Sequence, residues 1–271
     1  MIEKIFNIIN GKRRNFSVFE KIGINRKELK RLRSLPRFTR DRTLIFEREL
    51  NFVDCPTFLS SLKEIFIDEI YKFHSGKAII NIIDCGANIG LATLYFKKLF
   101  ANAHIVAFEP DPNIFRVLEQ NISSFGYQNV LLKNEAVSNS NSVISFHLEG
   151  GHSGMIVDHE NAENVIQIKS KRLNDVLEQY QRITFLKMDI EGHEVNVITD
   201  IANSLHKVDY LFLEYHSFIN SDQKLQQILA IITEAGFRYY IKEAFNKRFP
   251  FIEKEIFLKM DLLLNIFCYR D

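Results

Sequence analysis

The chain has 271 residues, 46% hydrophobic and 25% charged, with a formal net charge of +1. This is ordinary globular composition, enough for one large α/β domain or a domain with a small appendage. The near-neutral balance excludes a whole-chain electrostatic case for nucleic acid or membrane binding. Cys55, Cys85 and Cys268 are far apart and form no CxxC. They read as buried apolar residues in a reducing compartment, not as disulfides or zinc ligands. No run of about eighteen apolar residues is present to span a bilayer. The start MIEKIFNIIN lacks the basic n-region and cleavage pattern of a secretion signal, so a cytoplasmic location is expected.

Residues 1–45 are basic, through GKRRN, NRKELKRLRS and RFTRDR, and leave the remainder mildly acidic. Leu29, Leu32 and Leu35 make a thin apolar stripe, so this segment reads as a helical arm, with residues 46–271 as the main domain. Asp54 and Pro56 read as a break. Leu62, Ile65, Phe66, Ile70 and Phe73 then share a helical face, with Ser60 or Ser61 as the cap and Gly76 as the stop. Ile79 to Ile83 is a β-branched run, read as a strand buried on both faces. Leu91 to Phe100 looks helical, HIVAFEP is a second strand, and Pro112 to Phe125 is a helix with Ile114, Val117, Leu118 and Ile122 inward. NVLLKNEAV is a third strand. SVISFHL and VIQIKS are extra strands of a local insertion, and LNDVLEQY is a short helix. ITFLKM and DYLFLEYH are the fourth and fifth strands, followed by an amphipathic helix over DQKLQQILAIITEAG. FRYYIK and DLLLNIFCYR close the chain as an antiparallel hairpin at one edge. This alternation predicts a Rossmann-like, doubly wound α/β sheet, seven-stranded and mostly parallel, with right-handed crossovers.

Asp84-Cys85-Gly86-Ala87-Asn88-Ile89-Gly90 follows the first strand, where a parallel sheet places its ligand. Gly86 allows a sharp turn, Gly90 a close helix approach, and Asn88 a left-handed conformation. The spacing is G-x-x-x-G, with Asn88 where the dinucleotide fingerprint has its central glycine. Asp84 would repel a diphosphate but suits a ligand with an ammonium group, such as S-adenosylmethionine. Glu109 ends the second strand, where a carboxylate accepts from both ribose hydroxyls. Pro110 is positioned to stack on the adenine, and Asn134, Glu135 and Ala136 to border its edge. Asp189, Glu191, His193 and Glu194 crowd the loop after the fourth strand. Asp189 is expected near the sulfonium, and Glu191 and His193 near the acceptor. His216, at the end of the fifth strand, is a candidate general base, as are the loop's acids, because its pKa lies near neutrality. These acids with Glu214 and His216 are also metal-ligand types, but their spacing matches no metal motif. No metal is expected.

The ordered set DCGANIG, AFEPDP, NEAV, RLNDVL, FLKMDIEGHE and LFLEYH resembles the FkbM family of S-adenosylmethionine-dependent methyltransferases, over roughly residues 50–220. The resemblance implies O-methylation of a small molecule or glycan, with no nucleic acid partner. It also implies that Asp84 to Gly90 hold the methionine part, Glu109 the ribose, and Asn134 to Ala136 the adenine side. The DIEGHE loop would border the methyl group and the acceptor. Asn174 departs from the pattern, since the family usually has Asp directly after Leu. The rivals are an NAD-dependent oxidoreductase, a non-catalytic nucleoside-binding module, and a nucleic acid methyltransferase, which would explain the basic arm but lacks a D/N-P-P-Y-type signature. Part of the acceptor pocket is expected from the insertion at about 138–170, including Ser153 and Gly154.

Overall fold

A computed structural model of the chain describes residues 16–147, 155–156, 165–256 and 259–270. At its centre is β3 (Asn81–Cys85), whose apolar residues point alternately to the two faces of the sheet. Ile82 joins one core cluster and Ile83 the other. β4 (His104–Phe108) and β5 (Val130–Lys133) extend the sheet on one side. β10 (Ile183–Met188) and β11 (Val208–Phe218) extend it on the other, all parallel. β12 (Arg238–Glu243) and β13 (Met260–Tyr269) complete the order β12-β13-β11-β10-β3-β4-β5.

The closing hairpin forms at one edge of the sheet, as expected, with β13 as its inner strand. β13 pairs antiparallel with both β11 and β12, so it enters the sheet between them. The edge strand β12 therefore runs with the parallel set. Burial explains the choice: β13 buries Leu263, Leu264, Ile266 and Cys268, whereas β12 is mostly exposed and suits an edge.

The helices cover both faces. α3 (Cys55–Leu62), α4 (Leu91–Leu99) and α5 (Pro112–Phe125) pack on one; α6 (Leu173–Leu177), α7 (Glu194–Asp200) and α8 (Leu225–Glu234) on the other. α3 starts earlier than expected. Asp54 caps it by accepting from Thr57, and Pro56 sits in its first turn, where a missing N–H costs nothing. Asp54 and Pro56 thus begin the helix, which continues as a π-turn, Lys63–Ile67. Gly76 lies in the loop beyond it.

The expected third strand is split. β6 (Ala136–Ser138) leaves β5 and pairs with β9 (Val165–Arg172) in a small sheet, ordered β6-β9-β7-β8, with β7 (Val143–His147) and β8 (Met155–Ile156). Ser153 and Gly154 lie outside the described residues, as do residues 1–15.

From residue 16 on, the basic segment is built into the core. α1 (Phe16–Glu20) and α2 (Arg26–Arg33), the latter capped by Asn25, lead into a hairpin of β1 (Asp41–Ile45) and β2 (Arg48–Phe52). The hairpin crosses the expected boundary after residue 45. Phe19, Ile22, Ile24, Leu29 and Leu32 are buried with Ile45, Leu50 and Phe52, and Arg37 pairs with the buried Asp54 at 2.8 Å. Among the described residues no helix is long and apolar enough to cross a membrane.

Candidate functional site

Parallel strands deliver their carboxyl ends to one side of the sheet, so the loops after β3, β4, β10 and β11 converge there. The turn after β3 is stapled to its neighbours by backbone. Gly86 and Ala87 donate to Phe108 O at 3.1 and 2.8 Å, and Asp189 donates to Cys85 O at 3.1 Å. Gly86 has φ +84°, and a Cβ there would lie 1.8 Å from Asp189 O, so only glycine lets the two loops touch. Gly90 has φ +94°, and its missing Cβ makes room for Leu118 of α5 at 2.7 Å. Asn88 is left-handed, with φ +50°.

Asp84 corrects one expectation. It is fully buried beneath the turn, where Thr93 Oγ1 donates to it at 2.7 Å and Lys187 Nζ lies 3.5 Å away. Its charge is met from within the protein, so the carboxylate braces the turn and does not face an ammonium group in the crevice. Lys187 was not singled out as a site residue, yet it ties the region together. Its Nζ donates to Gly86 O at 2.9 Å and to Asp189 at 3.2 Å. Burial alone would lower its pKa, but Asp189 and Asp84 beside it hold it well above the usual lysine range. The available signal was a charge in the middle of ITFLKM, a strand buried along its whole length.

Glu109 lies at the end of β4, 7% exposed. Its two oxygens accept from the backbone of Asn88 at 2.9 Å and of Asp111 at 2.8 Å. Burial pushes its carboxyl up to about 8, against those two hydrogen bonds. Each oxygen keeps a lone pair for a further donor. Asn134 Nδ2 donates to Glu109 O and Pro110 O at 2.8 and 3.0 Å, tying the segment after β5 to this turn. Pro110 and Glu135 are half-exposed. Ala136 is buried in the small sheet's core with Phe146 and Ile168, so its methyl does not line the crevice.

The loop after β10 gathers the acids. Glu191 (φ +56°) and Gly192 (φ +99°) form a left-handed pair, and a Cβ on Gly192 would lie 2.7 Å from the Phe218 ring. This turn folds Glu191 back onto β11, where its Oε2 is 3.2 Å from His216 Nε2. Glu194, fully buried, accepts from Gly192 N at 2.9 Å and stands 3.0 Å from His216 Nδ1. Glu214 Oε2 is 3.8 Å from Nε2. Asp189, Glu214 and His216 each bring one polar atom within 4.8 Å of the other two. Burial, then the Asp189 charge, holds Glu214 well above the carboxylate range, while Asp189 is held low, against its own burial, by Lys187 and His216. His193 is half-exposed at the N-cap position of α7.

His216 corrects a second expectation. Burial alone would lower its pKa, but Glu194, then Glu191 and Glu214, raise it well above the usual histidine range. With carboxylates 3.0 and 3.2 Å from Nδ1 and Nε2, both ring nitrogens are engaged within the protein, which disfavours His216 as the general base.

The donor set suits an adenosine linked to an amino acid better than a dinucleotide. Glu109, Asp189 and Glu191 bring carboxyl oxygens to this end of the sheet, and the buried cation Lys187 is engaged by Gly86 O, Asp84 and Asp189. A diphosphate would meet carboxylates here, whereas ribose hydroxyls and a sulfonium would meet complementary groups.

A methyltransferase FkbM domain matches residues 84–239. Among curated proteins, Methyltransferase sdnD of Sordaria araneosa is 30% identical, covering 51% of this chain and 67% of the relative. The 2-O-methyltransferase NoeI of Sinorhizobium fredii is 27% identical, covering 54% and 65%. The hexuronic acid methyltransferase AglP of Haloferax volcanii is 28% identical, covering 51% and 56%. The chain thus spans between about half and two thirds of these relatives' lengths. The matched segment begins at Asp84 and takes in Glu109, the DIEGHE loop and His216, and the chain belongs to the FkbM methyltransferase family.

Proposed function

We propose that the chain transfers a methyl group from S-adenosylmethionine to a hydroxyl of a small molecule or saccharide. The observation that carries this reading is the gathering of Glu109 and the acids of the Asp189–Glu194 loop at the strand ends, with the buried Lys187 already paired to Asp84 and Asp189. When bound, the cofactor supplies a methyl group already activated on a sulfonium. The protein's work is then alignment, which can contribute several kcal/mol. Glu109 accepts from the ribose hydroxyls with the lone pairs that Asn88 and Asp111 leave free. The turn from Gly86 to Gly90 holds the methionine part, with Asp84 and Lys187 bracing it from below. Pro110, Glu135 and the backbone around Ala136 border the adenine. Asp189 lies toward the sulfonium.

Glu191 takes the part first given to His216 and receives the acceptor's proton. Its side chain is 27% exposed and in reach of solvent. Its Oε2 stands 3.2 Å from His216 Nε2. The relatives named for 2-O-methylation and for hexuronic acid methylation favour a sugar-like acceptor. The carboxylates at the mouth disfavour a nucleic acid. The test is thermal unfolding with S-adenosylhomocysteine and, separately, with NAD. At a hundred times its dissociation constant a ligand adds about 2.7 kcal/mol of stability. Stabilisation by S-adenosylhomocysteine alone is expected; stabilisation by NAD alone ends this reading.

A further inference from the structure

We infer that Asp189, Glu214 and His216 form a binding site for one divalent cation beside the acceptor position. The site stands on geometry; the cation's part in the reaction rests on the methyl-transfer reading above.

One ligand atom from each of the three residues lies within 4.8 Å of the other two. Ligands about 2.1 Å from one ion sit about 3 Å apart at right angles, so small side-chain rotations close this set around a metal. The partner that such a histidine needs is already present. A metal-ligating imidazole generally donates its other N–H to a carboxylate, which fixes tautomer and ring orientation. Here fully buried Glu194 stands 3.0 Å from Nδ1 and is itself held by the backbone N–H of Gly192. With Nδ1–H given to Glu194, Nε2 faces Glu191 at 3.2 Å and Glu214 at 3.8 Å. A bare nitrogen lone pair aimed at carboxylates is repulsive, so a proton or a cation must stand there. Asp189 and Glu214 each bring a carboxylate oxygen within 4.8 Å of a His216 ring nitrogen and of one another, and one divalent ion neutralises the set.

A second observation lies beside the cluster. Asn265 pairs directly across the β11–β13 ladder from Glu214, so both side chains rise from the same face. It is 1% exposed, its Nδ2 donates to Glu64 at 3.4 Å, and its Oδ1 has no hydrogen-bond partner. A buried amide oxygen without a donor costs free energy, which water or a hydroxyl on a neighbouring ion relieves. One imidazole with carboxylates suits a hard to borderline ion of the Mn²⁺ type. A hydroxyl of the acceptor coordinated there gives up its proton more readily, to Glu191. The residue types are legible in the sequence, but their spacing matches no metal motif because Asp189 lies on one strand end and Glu214 and His216 on another.

The experiment is titration of Mn²⁺ alone into the 271-residue chain, following the spin-resonance signal of free ion. One site per chain is expected, weakened at least tenfold in both Asp189→Asn and Glu214→Gln, with folding of each checked by circular dichroism. If either variant fails to fold, Glu214→Asp keeps the charge and is expected to weaken binding by a smaller factor. Stabilisation by S-adenosylhomocysteine is read in the same samples. A chain that responds to S-adenosylhomocysteine but takes up no Mn²⁺ overturns the cation site and leaves the methyltransferase reading standing. Uptake unchanged in both variants also overturns it, since the ion is then elsewhere. Mn²⁺ uptake that needs these side chains, without any response to S-adenosylhomocysteine, supports the site and removes its role in methyl transfer.

Discussion

Glu109 is pulled two ways. Burial raises its carboxyl to about 8, while the N–H groups of Asp111 and Asn88 favour its charge. The folded, ligand-free chain binds an extra proton here between the ordinary carboxylate pKa and about pH 8. This group's contribution to stability therefore falls as pH rises through that window. Ribose hydroxyls donate to the ionised form. Affinity for S-adenosylhomocysteine should strengthen from pH 6 to 8, by up to about tenfold per unit, and level off above. Calorimetric titration across that range checks this. A flat profile in the native chain removes Glu109 from the ribose role, and Glu109→Gln is expected to bind more weakly with no slope. His216 belongs to the same scale. His216→Ala leaves buried Glu194 without its partner and should cost about 3 kcal/mol in denaturant unfolding. The double variant with Glu194→Gln should recover most of that loss. Were the single variant as stable as the native chain, the ion pair would have no structural weight.

At the scale of elements, glycines decide how closely the loops approach. Gly86→Ala places a methyl 1.8 Å from the Asp189 carbonyl in a left-handed residue, and should cost about 3 kcal/mol or more. Gly126, at the end of α5, also has a positive φ but nothing within 4 Å of an added Cβ. Gly126→Ala should cost only about 1 kcal/mol. Melting both variants side by side checks the contrast; equal losses would mean that backbone conformation, not the loop contact, sets the cost. α5 was readable to its ends, because Asp111 caps it, Pro112 opens it and Gly126 closes it. α3 was not: Asp54 and Pro56 serve equally as a break or a start, and only the hydrogen bonds to Thr57 and Arg37 decide.

Over the whole molecule, the basic N-terminal segment is part of the fold. Its buried residues Phe19, Ile22, Ile24, Leu29 and Leu32 share a core with α3, α4 and α5. Removing residues 1–40 uncovers that apolar face and should yield aggregated or unfolded protein. Size-exclusion chromatography of the truncated chain checks this; a monodisperse, cooperatively melting product would show that the segment is an appendage after all. The placing of β13 between β11 and β12 has a consequence for the site, because it brings Asn265 opposite Glu214. An edge hairpin with β12 innermost would have put another residue there.

The alternation of β-branched runs with helical faces was enough to determine a doubly wound sheet. Short-range patterning settles which segments are strands, and handedness restricts how they connect. The glycine turn, Glu109 and the acidic loop were legible for the same reason: each follows its strand at once, and parallel strands all end on one side. Which groups touch was a tertiary matter. Asp84 looked available to a ligand until Thr93 and Lys187 were found to enclose it. His216 looked like a free base until Glu191 and Glu194 were brought to its two ring nitrogens. Charge state depends on neighbours a few ångströms away, and most of those neighbours lie more than 20 residues distant along the chain.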